Sequence, residues 1–289
     1  MKILSLFRTG QLKVEWTYTA HGSIWRILVS KAGRIVGECR SQDKKTTSFF
    51  CVDGSTGAPV WQDLRLQESW WIGIEAVHDN VLILHGFAEP DLPVHRGLMA
   101  FDVETGAERW RNDELTYWFG HRGQVYAHRD LFEKRIGYAL NLDTGVVEQT
   151  YEESLEPLHN LRKQASGEPD VEGLRFPELT NLGSLEASLG ALIEREIRGK
   201  KIAGGTEVIV EDGFLLLSYH SVRPDSTIES PLYDNHFVIF DLEKRRSLFT
   251  GILVQNARAP VPDSFFVKSP FVYFVKDLNT LTAVRLWKS

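Results

Sequence analysis

The stretch Ala100-Phe101-Asp102-Val103-Glu104-Thr105-Gly106-Ala107-Glu108-Arg109-Trp110 decides how this chain is read. Its pattern, A-x-D-x-x-T-G-x-x-x-W, recurs at Cys51-Val52-Asp53-Gly54-Ser55-Thr56-Gly57-Ala58-Pro59-Val60-Trp61. A third copy, Ala139 to Gln149, keeps Ala139, Thr144 and Gly145, with Asn141 at the aspartate position and Gln149 in place of the tryptophan. A worn fourth runs from Ile239 through Asp241 to Phe249. Each part of the pattern has a physical task. A short Asp or Asn side chain accepts backbone N–H groups inside a tight turn. Glycine supplies positive φ where the chain reverses. The aromatic on the outgoing strand packs between neighbouring sheets. Each copy therefore predicts the hairpin that joins the last two strands of a repeated sheet.

Two further β-rich runs precede each copy, separated by turn residues. They are Ile24–Ser30 and Arg34–Arg40 before the first, and Gly73–Val77 and Val81–His85 before the second. A short run near Trp118 and Gln124–His128 precede the third, and Glu207–Val210 and Phe214–His220 precede the fourth. Four strands per repeat predict the blades of an all-β propeller. Ser264–Lys268, Phe271–Lys276 and Leu281–Leu286 supply three strands of a last blade. Residues near Leu12–Trp16 are expected to complete it, which removes two exposed sheet edges.

The repeat anchors fall at residues 53, 102, 141, 241 and 285, with one interval about twice the others. Residues 151–205 fill it with a polar, broken stretch read as an insertion within a single domain spanning 1–289. Inside it, Leu185, Leu189, Leu192, Ile193 and Ile197 mark one face of a helix that starts after Ser184 and ends by Gly199. That face is expected to dock on the propeller rim. Without the insertion, about 47 residues remain for each of five blades, near the roughly 40–50 of known blade repeats. Six blades, one of them degenerate, is the alternative.

Composition sets the outer bounds. The 289 residues are 43% hydrophobic and 25% charged, which excludes disordered, collagenous and disulfide-stapled chains. A formal charge of -6 argues against nucleic-acid or acidic-membrane partners, which need a basic face. No apolar run approaches a membrane span, and the first residues lack a signal-peptide core. A cytoplasmic location is expected. Cys39 and Cys51 match no metal spacing and read as free, buried thiols.

The A-x-D-x-x-T-G-x-x-x-W copies resemble the repeats of quinoprotein dehydrogenases, the PQQ-like propellers that overlap with WD40-like folds. The runs Trp25-Arg26-Ile27, Trp70-Trp71-Ile72-Gly73 and Phe101–Gly106 are also similar to an uncharacterised bacterial family of comparable length. The resemblance implies a fold and no chemistry. Quinoprotein dehydrogenases have about eight blades, are periplasmic, and carry adjacent cysteines beside the quinone. Cys39 and Cys51 are not adjacent, so neither PQQ nor another cofactor is expected.

In a propeller, the links between second and third strands share one face, here Ser41–Thr46, Gly86–Arg96, Arg129–Arg135 and Ser221–Asn235. Long links on a rigid ring are where such folds bind ligands. His85, His128 and His220 occupy equivalent second-strand positions, and His95, Arg96, Arg129 and His236 stand in or beside the links. A rim of histidines can hold a divalent metal or an anion, although repeats also share residues for packing, and no His-x-His or His-x-x-x-His spacing occurs. Trp25, Trp71 and Trp118 recur near blade starts, where blade packing explains them; Trp70 is the one least explained by the repeat. A surface aromatic cluster suits carbohydrate or peptide.

No G-x-S-x-G elbow, phosphate-cradling glycine loop or H-E-x-x-H motif occurs. Five-bladed hydrolases work with paired inner-strand carboxylates, for which Glu75 and Asp130 are candidates. The expectation is a non-enzymatic propeller that presents its long-link face to a protein or small-molecule ligand. A metal-dependent hydrolase using His85, His128 and His220 is the alternative.

Overall fold

The repeated turn sets the architecture. The computed structural model describes residues 8–9, 12–88, 94–166, 171–180 and 186–286. In it, Asp53, Asp102 and Asn141 each use Oδ1 to accept two backbone N–H groups and the threonine hydroxyl three residues on, at 2.8–3.2 Å. Gly57, Gly106 and Gly145 follow with φ of 70°, 70° and 68°, and each N–H returns to the Asp or Asn carbonyl. The worn copy keeps the aspartate, whose Oδ1 accepts Lys244 N–H at 2.9 Å. Arg245 stands in the glycine's place at φ 51°.

Among the described residues the regular elements are β-strands except for two helices. Two N-terminal strands, β1 (Arg8–Thr9) and β2 (Val14–Thr19), precede three antiparallel meanders. Sheet I is β3 (Ser23–Val29), β4 (Arg34–Ser41), β5 (Thr46–Asp53) and β6 (Pro59–Leu64). Sheet II is β7 (Ile72–His78), β8 (Val81–Phe87), β9 (His95–Asp102) and β10 (Glu108–Asn112). Sheet III is β11 (Thr116–His121), β12 (Gln124–Asp130), β13 (Arg135–Asn141) and β14 (Val147–Tyr151). These sheets and helix α1 (Glu156–Ala165) belong to one compact unit, Ala20–Glu172.

The second unit joins Met1–Thr19 to Gly173–Ser289. Its short strands β15 (Leu174–Arg175) and β16 (Glu178–Thr180) precede helix α2 (Ala187–Ile197). Sheet IV then follows as β17 (Ile202–Glu211), β18 (Phe214–Val222), β19 (Tyr233–Asp241) and β20 (Arg246–Ala257), flanked by β16 and β1. Sheet V is β21 (Phe265–Lys268), β22 (Phe271–Lys276) and β23 (Thr280–Arg285), flanked by β15 and completed by β2. The completing strand is longer than Leu12–Trp16: Val14 pairs with Val284, Trp16 with Ala283 and Thr19 with Thr280.

Residues 151–205 depart from the single-helix expectation. They hold a second helix, α1, as well as β15 and β16, which pair with β21 and β17. Helix α2 behaves as its stripe requires: Leu189, Leu192, Ile193 and Ile197 pack on Val208, Leu215, Leu217 and Tyr219 of sheet IV. Leu185 lies outside the described residues. The polar helix α1 buries one side chain fully, Leu158, against Phe119, Tyr126 and Ala139 of sheet III. Gly137 makes the approach possible, since a Cβ there would lie 2.4 Å from the Leu158 side chain. Among the described residues, no helix is long and apolar enough to cross a membrane.

Alternation along β8 shows how the meanders stack. Leu82 and Leu84 enter a core shared with Val36, Phe49 and Cys51 of sheet I. Val81 and Ile83 enter another shared with Val125, Ala127 and Leu140 of sheet III. Both faces are buried, so the strand reads as a continuous apolar run. Cys39 and Cys51 are buried and unbridged, and burial pushes both thiols up to about 12.

The repeat tryptophans tie consecutive sheets together. Trp61 of sheet I donates its indole N–H to the Val103 carbonyl, one residue past Asp102, at 2.7 Å. Trp110 of sheet II donates in the same way to the Leu142 carbonyl, one residue past Asn141, at 2.8 Å. Each ring lies over the next turn's glycine: a Cβ would approach Trp61 to 3.1 Å at Gly106 and Trp110 to 2.5 Å at Gly145. Trp110→Phe keeps much of the ring but orphans the Leu142 carbonyl, for an expected loss of about 1–3 kcal/mol. Trp110→Ala also leaves a cavity, for about 3–5 kcal/mol. Urea denaturation of the two variants checks this order. Arg245→Gly should raise stability by up to about 1 kcal/mol, because it relieves a left-handed non-glycine residue against a smaller chain-entropy cost.

Candidate functional site

A one-residue β-bulge interrupts the first strand of sheets I, II and III. The extra residues are Trp25, between Ile24 and Arg26, Glu75, between Ile74 and Ala76, and Trp118, between Tyr117 and Phe119. A bulge re-aims the side chain it inserts. In the second strands Arg40, His85 and His128 pair with Ser23, Gly73 and Thr116. Each faces the bulge residue of its own sheet. The Arg40 guanidinium lies 5.7 Å from the Trp25 ring, His85 Nε2 lies 4.0 Å from Glu75 Oε2, and His128 meets Trp118 edge-on at 5.8 Å. The recurrence of Trp25, Trp71 and Trp118 therefore needs correcting: Glu75 holds the equivalent place in sheet II. Trp71 precedes β7 and packs edge-on against Phe87 at 5.8 Å.

Sheet II gathers one cluster. His95, the first residue of β9, pairs with Phe87 at the end of β8 and reaches Glu75 Oε2 through Nδ1 at 2.8 Å. Its ring stacks on His85 at 3.5 Å with 21° between the planes. Phe87 closes on both rings edge-on, at 5.0 and 5.3 Å. His85 is 4% exposed, and its Nδ1–H donates to the Gly86 carbonyl at 3.1 Å. Burial, with His95 beside it, lowers the His85 imidazole to about 4, so it is neutral at physiological pH. Burial alone would raise the Glu75 carboxyl; the bond to His95 and the nearby His85 and Arg26 outweigh it and hold the group below the usual carboxylate range.

Gly73 leaves a gap beside these groups. A Cβ there would lie 2.9 Å from His85 Nε2 and 3.0 Å from Glu38 Oε2. Glu38, on β4, is buried; it accepts Ile74 N–H at 2.9 Å and the Arg40 Nε–H at 2.6 Å. Sheet I thus contributes a carboxylate at the edge of the sheet II cluster.

An aromatic patch adjoins it. Arg40 lies 5.0 Å from the Trp70 ring and donates to the Trp70 and Ile72 carbonyls. Lys45 Nζ, in the β4–β5 turn, lies 4.8 Å from the Trp70 ring centroid, and Trp25 is 64% exposed. Glu68 fixes the approach by accepting the Trp70 and Trp71 N–H groups at 2.8 and 2.9 Å.

The remaining sequence candidates have partners of their own. Arg96 is exposed and donates to the Asp113 carbonyl at 3.3 Å. Arg129 donates to Glu114 at 2.6 Å, and His128 Nδ1 lies 3.4 Å from Asp130. In the other unit, buried His220 accepts Val261 N–H at 3.0 Å and the Asn235 amide at 2.7 Å through Nε2. His236 stacks on Tyr219 at 4.7 Å and bonds Ser221 Oγ at 2.8 Å. Among the described residues, the donor atoms close enough to share one metal ion are those of Glu75, His85 and His95, within 4.8 Å of one another. Glu38 carried no signal in the sequence. Glu75 did, since it stands ten residues before His85 as Trp118 does before His128.

The model of a family described as a domain of unknown function (DUF4905) matches residues 29–110, a span that contains Glu38, Glu75, His85 and His95. No curated protein matches the chain. Among solved structures, the β-propeller domain of the Trilobed protease from Pyrococcus furiosus is similar at 11% identity and a TM-score of 0.33, over 92% of this chain and 84% of that one. An uncharacterised protein from Listeria monocytogenes EGD-e is similar at 7% identity and a TM-score of 0.36, over 92% and 93%.

Burial, and then Lys200, lower His236 to about 4, below its ordinary 6.5. Between those values the unfolded chain takes up a proton that the folded chain does not. His236 therefore contributes stability above about pH 6.5 that is lost as pH falls towards 4, by at most about 1.4 kcal/mol per pH unit. His236→Phe keeps a ring on Tyr219 and should flatten the fall in denaturation midpoint across this window. An unchanged slope would contradict the assignment.

Proposed function

We propose that the five meanders are the blades of one propeller and that the protein is a non-catalytic binding module of the cytoplasm. Its unbridged, buried thiols suit a reducing compartment. The ligand is taken at the patch formed by Trp25, Arg40, Trp70 and Lys45. One observation carries the reading: Trp25, on a bulge, stays 64% exposed while its neighbour Arg40 is held by Glu38 and two backbone carbonyls. A large aromatic left in water beside fixed cations is a recognition surface rather than core. Lys44 and Lys45 add exposed positive charge in the adjoining turn. The chemistry matches an acidic peptide that also carries aromatic side chains, with rings on the indoles and carboxylates beside the lysines.

A copolymer of glutamate and tyrosine is a direct probe. Titration should change intrinsic tryptophan fluorescence saturably, with affinity that weakens as salt rises. Trp25→Ala should weaken binding at least about tenfold while changing stability by no more than about 0.5 kcal/mol, because the side chain is exposed. Binding that is absent in the wild-type chain, or unchanged from it in Trp25→Ala and Trp70→Ala, would sink the proposal.

A further inference from the structure

We infer that Glu75, His85 and His95 form a binding site for a divalent transition-metal ion of the zinc class. The reading goes beyond the peptide patch and does not depend on it.

The His85 ring carries the argument. Its Nδ1 proton is committed to the Gly86 carbonyl, so Nε2 presents a lone pair. Nε2 lies 4.0 Å from Glu75 Oε2, beyond hydrogen-bond range and itself an acceptor. A 4%-exposed imidazole thus turns its free nitrogen towards a carboxylate with no proton between them, two acceptors set against each other while Glu75 Oε2 is held by His95. A cation between them satisfies both. Gly73 keeps the adjoining space open, because any Cβ there would sit 2.9 Å from Nε2. Glu38 Oε2 borders the same gap, its carboxylate fixed by Arg40 and the Ile74 N–H.

The spacings suit a small ion. Ligands at about 2.0–2.2 Å in tetrahedral array stand about 3.4 Å apart. Glu75 and His95 are at 2.8 Å and Glu75 and His85 at 4.0 Å, so each pair adjusts by roughly half an ångström. The two imidazoles are stacked, and lone pairs in parallel ring planes do not meet. His95 is the ligand that turns: it opens β9, its side chain is 36% exposed, and turning exchanges its bond to Glu75 for one to the ion. The Gly86 carbonyl on Nδ1 is the outer partner that fixes the tautomer of a metal-binding histidine. Two imidazoles and one carboxylate select zinc, cobalt or nickel over magnesium and calcium, and leave a fourth position for water or ligand.

The test is titration of the tag-free, metal-stripped full-length chain with cobalt(II) chloride, followed by visible absorption, with zinc chloride as competitor. One cobalt per chain with intense tetrahedral-type bands, displaced by one equivalent of zinc, is expected. Glu75→Gln and His85→Gln should each weaken affinity at least about tenfold. Gly73→Ala, which retains all three ligands and fills the gap, should do likewise, with circular dichroism confirming its fold. No one-to-one band in the wild-type chain, or affinity unchanged in folded Glu75→Gln and Gly73→Ala, overturns the site.

Discussion

The seat of an indole on the next sheet's turn is the contact on which the three-meander unit depends. An isolated meander buries one face at best, and consecutive sheets must be held in register for β8 to bury both. Trp61 and Trp110 do this with a ring over a glycine and an N–H on a carbonyl one residue past the aspartate or asparagine. The same turn thus serves twice, as the reversal inside one sheet and as the socket for the tryptophan before it. Its glycine answers two demands, a left-handed φ and room for an indole. Where the series ends, Gln149 replaces the tryptophan and the chain continues into α1, which packs on sheet III through Leu158.

Register between sheets I and II has a chemical consequence. Polar side chains of sheet I reach the first strand of sheet II: Glu38 to Ile74 N–H, Arg26 to the Ile74 and Glu75 carbonyls, and Arg40 to the Ile72 carbonyl. These bonds grip the backbone on both sides of the bulge that presents Glu75. The carboxylate is held by the fold and not by its own packing, the condition under which a binding group keeps its geometry. The aromatic patch shares the same hinge of residues, since Arg40 joins Glu38 to Trp25 and Trp70.

The sequence was most legible where one residue type has one physical task. Asp53, Thr56 and Gly57 forecast their turn, and Leu189, Leu192, Ile193 and Ile197 forecast the docked face of α2. Helix α1 escaped because its segment is polar and commits only Leu158 fully to the core, leaving little periodicity to read. The bulges escaped because an inserted residue shifts alternation without changing composition. Trp71 offered a false match to Trp25 and Trp118, and strand pairing moves the equivalence to Glu75, in line with its ten-residue spacing to His85. His85 and His95 were legible as candidates, but their junction with Glu75 depends on that shift. Glu38 belongs to the neighbouring sheet, and its approach to Gly73 is a tertiary fact without a local trace.

Because the indole of one sheet is seated on the turn of the next, its loss should loosen a turn 42 residues away and spare its own. Amide hydrogen exchange in Trp61→Phe measures this directly. The account predicts faster exchange at Asp102 and Gly106, whose N–H groups close the second turn, and unchanged exchange at Asp53 and Gly57. Faster exchange confined to Asp53 and Gly57, with Asp102 and Gly106 still protected, would contradict it.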